Sequence, residues 1–432
     1  MADILIQGAT VLTMEGSENI IENGEIFITG GRIAALGPRG SIPPEGRAER
    51  IINGSGMIAM PGFINCHTHA AMTLLRSYAD DLPLMEWLSE KIWPVEDKLE
   101  PEDIYWGAML CCLEMIKSGT TTFVDMYFIM DQVALAVEKS GLRACLSRGL
   151  IGNAPNGALA LEENVNFFKE WNGMAGGRIK VMFGPHAPYT CPPEYLEQVI
   201  ELAGKYGAGL HIHVAETKSE VEQIKTSYGR TPVGHLNSLG LFALPVLAAH
   251  CVHLDDADME ILARNNVGVA HCPESNMKLA SGAAPVTGLL KAGVNVGLGT
   301  DGAASNNNLD MLEEMRSAAM LQKVSAGDPT VMPAFTALRT ATANGARVLG
   351  LDGEIGLLKA GMKADLILID KRRPHFCPQH NLTANLVYAA HSADVDTVIV
   401  DGKILMEHRQ VLTMDEEEVV REAQLRANRL TG

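Results

Sequence analysis

Basic residues are scarce in this chain of 432 residues: 35 Lys and Arg stand against 52 Asp and Glu, a formal charge of −17. A surface of that sign repels phosphate backbones and anionic headgroups, so neither nucleic acid nor a membrane is an expected partner, and a small-molecule substrate is. No uninterrupted apolar stretch reaches the ~18 residues needed to span a bilayer. The opening segment MADILIQGATVLTM has no basic segment followed by an apolar core and no small-residue cleavage site, so no leader is expected. The eight cysteines (Cys66, Cys111, Cys112, Cys145, Cys191, Cys251, Cys272 and Cys377) lack the spacing and density of a disulfide scaffold. Several lie inside apolar runs, which points to reduced thiols and the cytoplasm. Disordered, collagen-like and coiled-coil compositions are missing too, with 47% hydrophobic and 20% charged residues. What remains is an enzyme-sized globular chain, long enough for a barrel of ~250 residues and an accessory module.

Two kinds of segment are present. Residues 1–57 read as short strands with tight turns, including a hairpin at Gly30-Gly31, and the same grammar returns in ADLILID (364–370) and VDTVIVDGKILMEHRQVL (395–412). Between them, apolar runs alternate with helical stretches, the pattern of βα units around a buried parallel sheet. Eight such runs occur: 57–69, 120–126, 143–150, 179–186, 209–216, 246–253, 267–274 and 294–301. The expected fold is α/β: a (β/α)8 TIM-type barrel over 58–363, with a small composite β-sandwich domain built from 1–57 and 364–432.

Polar residues fall where such a barrel carries its chemistry, at the C-terminal ends of its strands. Those ends supply His67 and His69, Arg148, His186, His213 and Glu216, His250, and Asp301. His67 and His69 stand two apart on an extended strand, so both imidazoles face one side and can share an ion. A third nitrogen from His213 and a carboxylate from Asp301 complete a His3Asp set with room for water; His211, two residues before His213, is an alternative that spacing leaves open. One divalent ion is expected, Zn2+ foremost, with Fe2+ or Mn2+ also suited to these ligands. The fourth strand ends in Gly184-Pro185-His186, so the carbamylated lysine of two-metal barrels has no counterpart. A bound metal brings the pKa of water from 15.7 towards ~7. Asp301 is placed to collect the proton, Glu216 to protonate a ring nitrogen of the substrate, and His250 to stabilise the oxygen of the tetrahedral intermediate. His235, His253 and His271 are read as satisfied core histidines, and Cys251 and Cys272 as barrel packing.

The segments PGFINCHTH, HIHVAE and GTDGAASNN together resemble the amidohydrolase superfamily. LLRSYADDLPLMEWLSEKIWPVE (74–96), SRGL, FGPHAPYTCP and HVAET resemble its 5-methylthioadenosine/S-adenosylhomocysteine deaminases, over essentially the whole chain. The resemblance implies His67, His69, His213 and Asp301 as metal ligands, and Glu216, His250 and Asp301 as proton-handling residues, with Glu216 and Asp301 also touching the substrate. It leaves His211 as a packed neighbour. It further implies Glu96 as the carboxylate binding ribose hydroxyls, Trp87 as an aromatic beside the nucleoside, and His186 and Arg148 as further contacts, the arginine meeting the tail beyond C5′. A homo-oligomer is implied as well. One departure stands out: the second arginine of the family pattern, before LEEN, is absent from GNAPNGALALEEN, and Arg178 lies elsewhere. Because a guanidinium is the natural partner of a carboxylate, neutral 5′ tails gain over S-adenosylhomocysteine.

The expected activity is therefore hydrolytic deamination at purine C6 of 5′-methylthioadenosine, S-adenosylhomocysteine, 5′-deoxyadenosine or adenosine. A superfamily enzyme acting on guanine, a pterin or a triazine is the alternative, and a catalytically dead scaffold barrel a second. The segment 72–100 also has a plain reading, an amphipathic cap helix with Trp87 and Trp93 as core and Asp80 and Asp81 as a solvated turn and N-cap. Zinc deaminases of the HxE/PCxxC type are excluded, since no PCxxC occurs.

Overall fold

The computed structural model describes residues 3–17, 19–42 and 48–432. The N-terminal segment forms β1 (Ile4–Leu12), β2 (Ile20–Thr29), β3 (Arg32–Pro38), β4 (Arg50–Asn53) and β5 (Met57–Pro61). The β2–β3 hairpin turns on Gly30 and Gly31, whose φ values of 57° and 81° are those of a type I′ turn that side chains at either position would strain.

Eight parallel strands then pair in sequence order: β6 (Phe63–Thr68), β7 (Thr120–Tyr127), β8 (Arg143–Leu150), β9 (Ile179–Pro185), β10 (Leu210–Val214), β11 (Val246–His250), β12 (Gly268–His271) and β13 (Asn295–Leu298). They are almost wholly buried, because helices cover the outside and side chains fill the inside. The number and places of the strands match the sequence reading, with two differences. The run 57–69 is two strands: Pro61 has no N–H with which to continue a ladder, and β5 belongs to another sheet, paired with β1. The last strand ends at Leu298, three residues before Asp301, whose φ is 62°.

No ladder joins β13 to β6 among the described residues. The Ile64 N–H instead donates to the Ala341 carbonyl (2.9 Å). The seam closes through the Asp301 N–H to the His67 carbonyl (2.9 Å) and through Asn65, whose amide bridges the Thr300 hydroxyl (2.7 Å) and N–H (3.1 Å). Gly299 makes this approach possible, since a Cβ there would lie 2.7 Å from the His67 nitrogen.

The C-terminal segment returns as β14 (Leu366–Asp370), β15 (Val395–Val400), β16 (Lys403–Glu407) and β17 (Gln410–Val411). The two chain ends make one mixed nine-stranded sheet, ordered β17-β16-β15-β14-β5-β1-β2-β3 with β4 on β1. Alternation along β5 and β14 serves two cores: Met57, Ala59, Leu366 and Leu368 join the sheet's own cluster, while Ile58, Met60, Ile367 and Ile369 face the barrel's. A buried Arg143–Asp365 pair (2.8 and 3.1 Å) ties the start of β8 to this sheet. The final helix Glu416–Thr431 lies against the barrel helix Pro101–Ser118 through Arg426–Glu102, Arg429–Asp103 and Lys117–Glu416 pairs. No described helix is long and apolar enough to cross a membrane.

Candidate active site

His67, His69 and His213 present ring nitrogens within 4.8 Å of one another, and so do His67 and His250 with a carboxylate oxygen of Asp301. The Nε2 atoms of His67 and His69 lie 3.4 and 3.2 Å from Asp301 Oδ1. Each imidazole is aimed by a partner on its other nitrogen. His69 Nδ1 donates to the Met126 carbonyl (2.6 Å), His213 Nδ1 to the His186 carbonyl (2.8 Å), and His67 Nδ1 faces Nε2 of His211 (2.9 Å). His211 thus stands behind His67, with its own Nδ1 3.2 Å from Ser147 Oγ, which donates to the Asp125 carbonyl. Holding Nδ1 leaves each Nε2 lone pair for an ion, the usual arrangement of metal-binding histidines. His67 Nε2 is buried with no hydrogen-bond partner, an orphan that a divalent cation satisfies.

The acidic and basic groups around this cluster are held as firmly. Asp301 Oδ1 accepts from the Gly302 N–H (2.8 Å), and Oδ2 accepts from Ser275 (2.7 Å) and Ser305 (2.8 Å). His250 Nδ1 meets Asn276 Oδ1 at 2.9 Å, and its Nε2 lies 3.9 Å from Glu216 Oε2. Glu216 follows a turn that Glu220 pins, the latter's two oxygens accepting the N–H groups of Ala215 (2.8 Å) and Glu216 (2.9 Å). Positive φ at Ala215 (51°), His250 (70°) and Asp301 (62°) concentrates backbone strain here. Burial raises the Glu216 carboxyl above its ordinary range, against the pull of His250. Burial would lower His250, but the Glu216 and Asp301 charges prevail and raise it.

These groups floor a cleft with about 710 Å3 of empty space, whose walls include Met72, Leu84, Trp87, Leu88, Trp93 and Leu279. Its mixed apolar and polar lining is that of a small-molecule site. His69, His213, Glu216, His250, Asp301, His186, Trp87 and Glu96 all line it. The segment after β6 is helical from Leu84 to Glu96 with a π-helical middle, Trp87–Ile92, a geometry frequent at functional sites. Trp87 is buried, its Nε1 donating to the Ala79 carbonyl (3.0 Å), and Glu96 accepts from the Tyr127 hydroxyl (2.6 Å). The expected cap at Asp80 and Asp81 is not there: Pro83 precedes the first helical residue, and Asp80 pairs with Lys278.

Two arginines lie outside this cleft. Arg148 lines an adjoining outer hollow, paired to Glu163. Arg178 donates to the Val137 and Leu142 carbonyls, away from the site. His253 meets the Ser281 carbonyl (2.7 Å), whereas His235 stacks on Tyr228 (4.0 Å) but departs from expectation in that its Nε2 is buried with no hydrogen-bond partner among the described residues. His271 departs from expectation: it is buried in β12, but neither ring nitrogen has a partner among the described residues. Cys251 and Cys272 are buried.

Tyr127, Glu220, Asn276, Ser275 and Ser305 were not singled out from sequence. Thr217-x-x-Glu220 has the form of a capping box, and Thr217 does cap the helix Lys218–Tyr228, yet the Glu220 carboxylate reaches back to the strand end instead.

Residues 58–405 match the amidohydrolase family. The chain is 70% identical over all 432 residues to a 5-methylthioadenosine/S-adenosylhomocysteine deaminase of Pelotomaculum thermopropionicum, each chain covered completely. It is 53% identical to a 5′-deoxyadenosine deaminase of Methanosarcina acetivorans, over 100% of this chain and 99% of that one. Its fold superposes on that of a zinc-bound adenosine deaminase from Xanthomonas campestris with a TM-score of 0.96 at 36% identity, covering 99% of this chain and 98% of the other. A parallel barrel carrying His67, His69, His213 and Asp301 at one end, together with likeness of this extent, places the chain in the amidohydrolase family.

Proposed function

We propose that the protein removes the 6-amino group of an adenosine-type nucleoside by metal-assisted hydrolysis, giving the inosine analogue and ammonia. The carrying observation is that one cleft joins the His/Asp cluster to Glu216, whose carboxyl burial raises above its ordinary range, on one side and to Glu96 on the other. His67, His69, His213 and Asp301 hold the ion, which we take to be zinc. When bound, it supplies the Lewis acidity that makes water an effective nucleophile near neutral pH.

The chain's own groups manage the protons. Asp301, its Oδ2 fixed by two serines, accepts the proton that water gives up as its oxygen bonds to C6. Glu216 gives its proton to N1 in the same step, and His250 donates from Nε2 to the incoming oxygen. Asp301 then passes its proton to the amino group, the C6–N bond breaks, and ammonia leaves. The C6 hydroxyl returns a proton to Glu216, which leaves a carbonyl at C6 and both carboxyl groups as they began. Glu96, oriented by Tyr127, receives the ribose hydroxyls, with Trp87 and His186 flanking the nucleoside and Arg148 nearer the 5′ end. Seven buried free thiols support a reducing compartment. The assembly is carried as a homo-oligomer, to be read by light scattering.

The test is ammonia release from 5′-methylthioadenosine, S-adenosylhomocysteine, adenosine, 5′-deoxyadenosine and guanine, before and after chelation and zinc return. The nucleosides are expected to react and guanine to be left. Activity on guanine alone overturns the proposal.

A further inference from the structure

An outer hollow with about 1660 Å3 of empty space opens beyond the metal-facing cleft and shares Trp93, Glu96, Phe128, Gly149, Ile151 and Tyr189 with it. A substituent projecting past Glu96, away from the ion-binding cluster, enters this hollow. The charged residues lining it are Glu96, Asp97 and Arg148. The arginine is already engaged. Its Nε and Nη2 both lie 3.0 Å from the same Oε2 of Glu163, its Nη1 bonds the Gly149 carbonyl, and its guanidinium sits 5.2 Å from the centre of the Phe128 ring. Glu163 comes from the helix Gly157–Trp171 and is not part of the hollow's lining.

Resting on the nucleoside reading above, we infer that Glu163 is a specificity-determining residue: by occupying Arg148 it makes the hollow select nucleosides with neutral 5′ substituents over those ending in a carboxylate. An incoming carboxylate has to displace Glu163 and also meets the like charges of Glu96 and Asp97. The pair is built for one-sided exchange. The Arg148 side chain is only 11% exposed, whereas that of Glu163 is 49% exposed and keeps its water contacts when the bond is lost. Removing Glu163 therefore frees a fixed, forked donor and leaves the largely buried Arg148 guanidinium without a carboxylate, a vacancy that an incoming carboxylate fills.

The experiment compares kcat/KM for S-adenosylhomocysteine and 5′-methylthioadenosine in the full-length enzyme, in Glu163→Gln, in Glu163→Ala and in the double variant Glu163→Gln/Arg148→Gln. In both single variants the ratio of the charged to the neutral substrate should rise on the order of ten-fold, chiefly through a lower KM for S-adenosylhomocysteine. The double variant should lose that rise. A ratio that stays put in both single variants, or rises equally without Arg148, overturns the assignment. If the unaltered enzyme releases ammonia from neither nucleoside, the proposed function falls and this inference with it. If 5′-methylthioadenosine is deaminated and the ratio does not move, only the role of Glu163 falls.

Discussion

Replacing His211 by leucine tests whether an imidazole that touches no ion nevertheless sets the affinity for one. For His67 to offer Nε2 to a cation, its Nδ1 must carry the hydrogen and donate it to His211 Nε2 at 2.9 Å. His211 is fully buried, and burial followed by the neighbouring His67 keeps it neutral, so it can accept there while its Nδ1–H faces Ser147. In His211→Leu the His67 N–H loses its acceptor in a place that water does not reach. An unpaired buried donor costs about 1–3 kcal/mol, which is roughly 5- to 150-fold in a binding constant and brackets the 10- to 100-fold seen when groups behind metal ligands are lost. His211→Gln, whose amide oxygen reaches the Nε2 position, should recover most of the loss. Metal affinity measured by chelator competition decides the matter, with thermal unfolding of the metal-free proteins as the control for stability. Leucine binding the ion as tightly as histidine would refute the reasoning.

Three further outcomes are expected. The proposed reaction draws a proton from Glu216, whose carboxyl is raised by burial, so kcat should fall as pH rises through that raised value; Glu216→Gln should lose about 10^2- to 10^4-fold and this alkaline limb with it, and an unchanged limb counts against the assignment. Glu220 is raised by burial from 4.5 to about 7 despite its two N–H donors. The folded state thus holds more protons than the unfolded one over that window, and its stability falls as pH rises from 4.5 to 7. The advantage of the wild type over Glu220→Gln in urea unfolding should accordingly be larger at pH 5 than at pH 7.5, and a pH-independent difference contradicts it. Gly299→Ala should cost about 1–3 kcal/mol in urea unfolding and weaken metal binding together, because the new methyl meets the His67 backbone at 2.7 Å; wild-type values for both would show that the seam has slack.

The barrel was legible because strands buried on both faces leave apolar runs, and because His67, His69, His213, Glu216, His250 and Asp301 interrupt them at one end. The break at Pro61 was harder to see: both sides of it are apolar, and only hydrogen bonding to β1 and β14 assigns Met57–Pro61 to another sheet. A period of two places His211 and His213 on the same inner face, so spacing could not rank them, and depth within the barrel does. Asn276 and Glu220 act on residues whose own sequence neighbourhoods give no sign of them, one across 26 positions and the other in the guise of a helix cap. The engagement of Arg148 by Glu163 was likewise invisible, since an arginine at a strand end reads as free until its partner is placed.

The seam between β6 and β13 gives the ion a mechanical meaning. His67 and His69 stand on one lip and Asp301 on the other, along the one junction of adjacent barrel strands that lacks a ladder among the described residues. Seven of the eight junctions are zipped by backbone; the eighth is buttoned by Asn65, the Asp301 amide, the Thr68 hydroxyl on the Asp301 carbonyl and, in the proposed site, the ion shared by these three side chains. An ion held there as proposed would be a clasp as well as a reagent, and the amide hydrogens of Ile64 to Thr68 should exchange faster once it is taken away.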